Sequence, residues 1–306
     1  MKLNQVSRVQ ESRGDKVFNA INLVILIILG LVFVMPFWLV FTSSIVTDLE
    51  RNVRGMAIFI PHSFDLSAYK TVLGEGTIIY RAYLNTLIRL VAGTALSMVV
   101  TTLAAYALSQ RALPARKAIT FFFFFTVLFN GQASLSSGTL VPTFILVNSL
   151  GWFNSYWSLI IPSMVNAWWM LLLRNFFMQI PADLEESAEI DGASPPVILW
   201  QIMLPLSLPS LMTIGLFYAV WHWNQWFDSY IFILDYNKMP LQNILREIVF
   251  STNLTNASLA HLDAAGLPSE KLKSVTIMVS TIPFLCLYPF IQKYFVRGVM
   301  VGSIKG

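Results

Sequence analysis

Long uninterrupted apolar runs, separated by short clusters of charge, set the layout of this chain. No Asp, Glu, Lys or Arg occurs from Val17 to Thr47, or from Ala118 to Leu173. A membrane-spanning helix needs about 20 mostly apolar residues. The runs are continuous rather than alternating, which predicts spanning helices and not a barrel. The pattern places spans over residues 18–42 and 84–108, a third starting near Ala118, a fourth over 156–177, a fifth over 206–227 and a sixth between Lys273 and Lys293. The polar stretch "NGQASLSSG", 130–138, separates the third from the fourth, and 142–155 is expected to lie along the interface. The expected fold is therefore an all-α integral membrane domain of six transmembrane helices over 18–306, after a short segment 1–17. The first run is read as a retained span, because it far exceeds the roughly 7–15 residues of a signal h-region and no small-residue cleavage site closes it.

Composition agrees. The chain is 56% hydrophobic and 12% charged, against about 25% charged in soluble domains, and its mean hydropathy is +0.65. Charge then orients the spans. Lys2, Arg8, Arg13 and Lys16 precede the first, Arg111, Arg116 and Lys117 crowd the turn after the second, and Lys293, Arg297 and Lys305 follow the last. The positive-inside rule puts these clusters and both termini in the cytoplasm, with 43–85 and 228–273 outside. The net charge of +4 follows loop boundaries, so no nucleic-acid partner is expected. The single cysteine, Cys286, excludes an internal disulfide, and His62, His222 and His261 are far apart, so no metal site is expected. Arg89, near one end of the second span, is expected to snorkel or to bond its own helix, with an inward position toward an acidic sugar as the alternative.

Residues 178–205 break the apolar pattern on the cytoplasmic side. Asp183, Glu185, Glu186, Glu189 and Asp191 face one base, Arg174. Asp183 with Glu186 reads as a capping box. Gly192 is the expected helix stop, and Ser194 followed by Pro195 starts a second helix. Pro205 and Pro209 should bend or break it as it enters the fifth span. An acidic helix–turn–helix where basic residues are the rule suits a basic partner surface.

The residues of this segment resemble the EAA loop of ABC-importer permeases. Glu186, Ser187 and Ala188 stand at its E-A-A, Asp191 and Gly192 follow at the family spacing, and Ile202, Leu204 and Pro205 match its I-x-L-P. "LPARK" after the second span, "NSLGWFNSYWSLIIP" before the fourth, "WNQWF" at the fifth and the tail "RGVMVGSIKG" are similar to carbohydrate-uptake permeases of the MalG type. The resemblance implies that Glu186, Ala188, Asp191, Gly192, Ile202, Leu204 and Pro205 couple the membrane helices to a separate cytoplasmic ATPase. It also implies a second, related permease, two ATPase subunits carrying ATP and Mg, an extracytoplasmic solute-binding protein that meets the two outer segments, and a place in the bacterial inner membrane. No GxxxxGK[ST] phosphate loop occurs in this chain, so no cofactor and no catalysis are expected in it. The segment 136–163 is closest to permeases for acidic oligosaccharides such as alginate or pectin fragments.

Sugars are held by aromatic faces and amide hydrogen bonds. "NAWWM" and "WHWNQWFD" therefore supply the candidate substrate path, Asn166, Trp169, Trp223 and Asn224. A polar side chain deep in a span usually faces the bundle or a cavity; Trp152, Trp226 and Phe227 read instead as an interfacial belt. Two alternatives stand beside the sugar permease. One is the same architecture for another solute, against which the sugar-type motifs argue. The other is a secondary transporter, which would need ionisable groups within its spans for ion coupling.

Overall fold

The computed structural model of the protein describes residues 12–55, 57–74, 77–130, 139–250, 270–283 and 285. Every regular element among them is a helix. Cys286, Asn253, Asn256, His261, Lys2, Arg8 and the tail from Arg297 lie outside the described residues.

Helix α1 (Arg13–Ile45) opens on a capping box: Ser12 Oγ accepts from Asp15 N at 3.2 Å and Asp15 Oδ2 accepts from Ser12 N at 3.0 Å. Its apolar side chains are exposed along most of its length; Leu23 is 57% and Phe33 71% exposed. Such an apolar helix, about 50 Å long, needs lipid or another chain around it. Two short helices follow, α2 (Asp48–Arg54) and α3 (Ser67–Val72).

Helix α4 (Ile78–Ser109) is the centre of the bundle. Arg89, Gly93, Ser97, Thr101 and Ala105 recur every four residues and are all buried. The small members of this stripe, from Gly93 to Ala105, face α12 (Leu208–Asn224), where Thr101 Oγ1 and Tyr218 OH share a hydrogen bond of 2.7 Å. Small residues let two helix backbones approach closely. At Gly93 the approach is so close that a Cβ would lie 2.6 Å from the His222 ring.

The chain continues through α5 (Arg116–Asn130), α6 (Leu140–Ser149), α7 (Trp157–Ile160), a 3-10 turn Ile161–Ser163 and α8 (Ala167–Phe177). The continuous fourth span expected over 156–177 is thus broken. Pro162 lacks a donor, and Asn166 restarts the helix as its N-cap, with Oδ1 accepting from Trp169 N at 3.1 Å. The loop helix α9 (Ala182–Ile190), α10 (Pro195–Ile198), a π turn Leu199–Met203 and α11 (Leu204–Leu206) lead to α12. The expected proline bend is large: the α10–α11 segment meets α12 at 86°. Then come α13 (Phe227–Phe232), α14 (Leu241–Phe250) and α15 (270–283). Among the described residues α1 and α4 are each long and apolar enough to cross a membrane, and the bent pair α10–α12 brings the number to three if it is counted as one span.

Two main cores sit at opposite ends of α4. One joins its first turns, through Ile79 and Ala82, to Ala68, Val72, Ile244 and Leu272 of α3, α14 and α15. The two segments expected outside the membrane therefore fold on each other. There Lys271, fully buried, donates to Asp65 at 2.6 Å, and Glu50 accepts from the backbone N–H groups of His62 and Ser63. The other core joins the last turns of α4 to α8, α10, the π turn and α12.

Candidate functional site

The acidic segment is built on that second core. Helix α9 takes Pro181 as its N-cap, two residues before Asp183, so Asp183 lies inside the first turn and caps nothing; the expected Asp183–Glu186 capping box does not form. Proline presets the backbone for this earlier start, and Asp183 and Glu185 instead favour the positive end of the helix dipole. The C-terminal stop is the one expected. Gly192 has φ +82°, its N–H donates to Glu189 O at 3.0 Å, and Ala193 N donates to Ala188 O at 2.9 Å. This pair of bonds is a Schellman motif, for which the left-handed conformation at the glycine is required. Ser194 then takes the N-cap of α10 in extended backbone, with Pro195 first in the helix; its hydroxyl makes no capping bond.

The turn sorts the motif residues onto two faces. Ala188 is half-buried against the core of Tyr106, Leu173 and Phe177, and Ile202 and Leu204 pack on the same core. Glu186, Asp191, Gly192 and Pro205 are exposed. No residue of α9 is fully buried, and Ile190 is 87% exposed. Among the described residues no Lys or Arg makes an ion pair with any of the five carboxylates. Glu185 alone is tied back, accepting from Gln110 Nε2 of the α4 end at 3.3 Å. Tyr106, edge-on to Phe177 at 6.2 Å, donates to Pro195 O at 3.4 Å. The segment thus rests on α4 and α8 through its apolar side and offers an unpaired acidic side.

The candidate substrate path divides into two places. Asn166 and Trp169 meet at Tyr218: Asn166 N donates to Tyr218 OH at 2.9 Å, and the Trp169 and Tyr218 rings are edge-on at 4.5 Å. Asn166 is 6% exposed, and its amide oxygen is committed to the α8 cap. Trp223 is buried at the far end of α12, edge-on to Tyr83 at 6.1 Å, and Asn224 beside it is exposed, donating to Val220 O at 2.8 Å.

A further polar centre was not expected. Arg89 does not snorkel. It is fully buried and grips Asp228 with both guanidinium ends, Nη1 to Oδ1 at 3.1 Å and Nη2 to Oδ2, while Nη1 also reaches Gln225 O at 3.2 Å. A buried charge persists only when it is paired and hydrogen-bonded, and Asp228 supplies both. His222, one turn along α4 against Gly93, is 1% exposed. Tyr218 and Asp228 are separated by more than a hundred residues from their partners Thr101 and Arg89, so neither local spacing nor hydrophobic period signals them.

No protein-family model matches the chain. It is 40% identical over 293 residues, covering 95% of this chain and 99% of the relative, to the polygalacturonan/rhamnogalacturonan transport system permease protein YtcP of Bacillus subtilis (strain 168). The chain belongs to the permease subunits of ABC sugar importers. It is also 35% identical over 302 residues to protein LplC of the same organism, covering 99% of each. A crystal structure of a bacterial ABC transporter involved in the import of the acidic polysaccharide alginate contains a chain that matches this permease with a TM-score of 0.83 and 32% identity, over 93% of this chain and 99% of that one. Within this family the permease is not the catalytic subunit.

Proposed function

We propose that this permease forms half of the translocation pore of a binding-protein-dependent importer for acidic oligosaccharides, in the bacterial inner membrane with both termini cytoplasmic. Six crossings complete it: α1, α4, the span begun by α5, the broken α7–α8, the bent α10–α12, and the span begun by α15. A second permease forms the other half, two ATPase subunits bind beneath with ATP and Mg, and a solute-binding protein docks on the joined outer segments. Residues 178–205 are the coupling loop, with Glu186 and Asp191 toward the ATPase, Ala188, Ile202 and Leu204 toward the permease core, Gly192 setting the angle between them and Pro205 the entry to the bend.

The observation that carries this reading is the turn at Gly192. Its left-handed backbone at φ +82° holds an acidic helix with no buried residue of its own against the ends of α4 and α8. A push on α9 is therefore delivered to α8 and, through the 86° bend, to α12. The acidic substrate class is supported by the names of two relatives, one for polygalacturonan/rhamnogalacturonan at 40% identity and one for alginate at 32%. Asn166, Trp169, Trp223 and Asn224 remain the proposed path, with Tyr218 as the hub of its inner part.

Reconstitution of the whole importer in liposomes tests both parts. ATP hydrolysis should rise with the binding protein loaded with oligogalacturonate and not with malto-oligosaccharide of equal length. Equal stimulation by the neutral sugar would refute the acidic class; an ATPase that does not co-purify with the permease would refute the coupling assignment.

A further inference from the structure

The turn between α4 and α5, together with α5 and α8, encloses an open groove of about 950 Å³. Its two ends differ in chemistry. Arg111, Arg116, Lys117 and Arg174 gather at one, and no carboxylate lines any part of it. None of these cations has an ion-pair partner among the described residues. Arg174 is held in place, its Nε donating to Leu108 O at 2.9 Å. The rest of the groove is apolar: Phe121 and Phe124 from α5, at 67% and 46% exposure, face Trp168 and Leu171 from α8.

We propose that this groove binds an anionic phospholipid, the phosphodiester head at Arg111, Arg116 and Lys117 and an acyl chain along Phe121, Phe124 and Trp168. Each half of the groove excludes simpler occupants. A free anion has no use for an aromatic wall, and a neutral lipid leaves a cluster of unpaired cations. A molecule with a negative head and an apolar tail satisfies both. Position agrees with chemistry. The basic end lies beside the coupling loop, since Gln110 next to Arg111 bonds Glu185, and α5 runs from there into its apolar face. That is the depth at which lipid headgroups meet a spanning helix, and basic pockets between helices at this level favour anionic lipids. The inference needs only that this end of the bundle lies at a bilayer surface; it is independent of the sugar carried.

The test uses the full importer complex, purified in detergent and delipidated, then titrated with dioleoyl phosphatidylglycerol, dioleoyl phosphatidylcholine or inorganic phosphate. Bound lipid is read by native mass spectrometry and thermal stability by unfolding scans. Phosphatidylglycerol should bind and raise the melting temperature, phosphatidylcholine much less, and phosphate not at all. Removing the cations one at a time, Arg111→Ala and then Lys117→Ala, should weaken binding about fivefold at each step. Because fewer positive charges can disturb insertion, Thr120→Trp provides the second variant. Thr120 lines the groove, its hydroxyl has no hydrogen-bond partner among the described residues, and all the cations stay; this filling change should also displace the lipid. Equal retention of the two lipids, a response to phosphate alone, or binding untouched by both variants would overturn the proposal. So would a disulfide cross-link from a cysteine at position 121 to the second permease in a complex that holds no lipid, since the groove would then be a subunit contact.

Discussion

Arg89 and Asp228 lie inside the helical bundle, their side chains 1% and 3% exposed, and answer each other's charge. The carboxylates of 183–191 lie outside it and have no basic partner among the described residues. The permease thus handles charge in two opposite ways. Inside, where an unpaired ion costs several kcal/mol, charge is matched within the chain and joins α4 to α13. On the coupling loop, water tolerates the acids one by one, so folding places no demand on their partners. The inner pair is a matter of architecture; the outer acids are left for another surface.

This comparison breaks if removing the inner pair is harmless. Arg89→Ala leaves Asp228 buried and alone and should cost about 3–5 kcal/mol, seen as a large fall in melting temperature or loss of the complex. Asp228→Ala should do the same. The double variant Arg89→Met with Asp228→Leu should recover much of the loss, because it buries no charge. Additive losses would mean that the two side chains act separately.

The helix contact next to the pair should be the next most sensitive position. Any side chain at Gly93 meets the His222 ring, and overpacking of this kind costs about 1–3 kcal/mol. Gly93→Leu should lower the melting temperature clearly, and His222→Ala in the same chain should restore part of it by making room.

A smaller effect is expected at the outer end. The Ser63 hydroxyl, then the backbone N–H of His62, the Arg54 side chain and the backbone N–H of Ser63 hold the Glu50 carboxyl down at about 2, against some opposing burial. A carboxylate depressed in the folded state adds stability that is complete above its ordinary value and fades as pH falls toward about 2. Unfolding scans of Glu50→Gln and the parent protein should therefore separate at neutral pH and converge below pH 4. A gap that persists unchanged in acid would contradict this.

The smallest effect on stability belongs to the loop. Glu186→Gln removes no hydrogen bond or ion pair seen among the described residues and should shift unfolding by no more than about 0.5 kcal/mol. Recovery of the permease on a tagged ATPase should nevertheless fall. A stability loss as large as that of Arg89→Ala would erase the distinction between the two regions.

What the sequence made legible follows the range of the interactions involved. The apolar stretches of α1 and α4 could be read because hydrophobicity is written residue by residue. The end of α9 could be read because Gly192, Ser194 and Pro195 act on their own backbone. The same local reading misjudged Asp183, where Pro181 started the helix earlier. It also missed the break in the fourth span, where Asn166 gains a cap and a bond from Tyr218 of α12. For Arg89 the inward position stood only as an alternative to snorkelling, and its partner, 139 residues away, was not legible for the same reason. A lone arginine in an apolar run and a lone aspartate after an aromatic cluster carry no mark that they belong together.

The coupling role of residues 178–205 is the central claim, and Gly192→Val tests it most directly. A β-branched residue at φ +82° is strained by about 1–3 kcal/mol. Because α9 buries no residue fully, the strain stays in the loop. In liposomes carrying the complete importer, the account predicts a normally inserted complex, normal solute capture by the binding protein, and loss of either ATPase recovery or substrate-stimulated hydrolysis, with uptake abolished. Normal recovery, normal stimulation and normal uptake together would contradict it and reduce the acidic helix to a solvated loop.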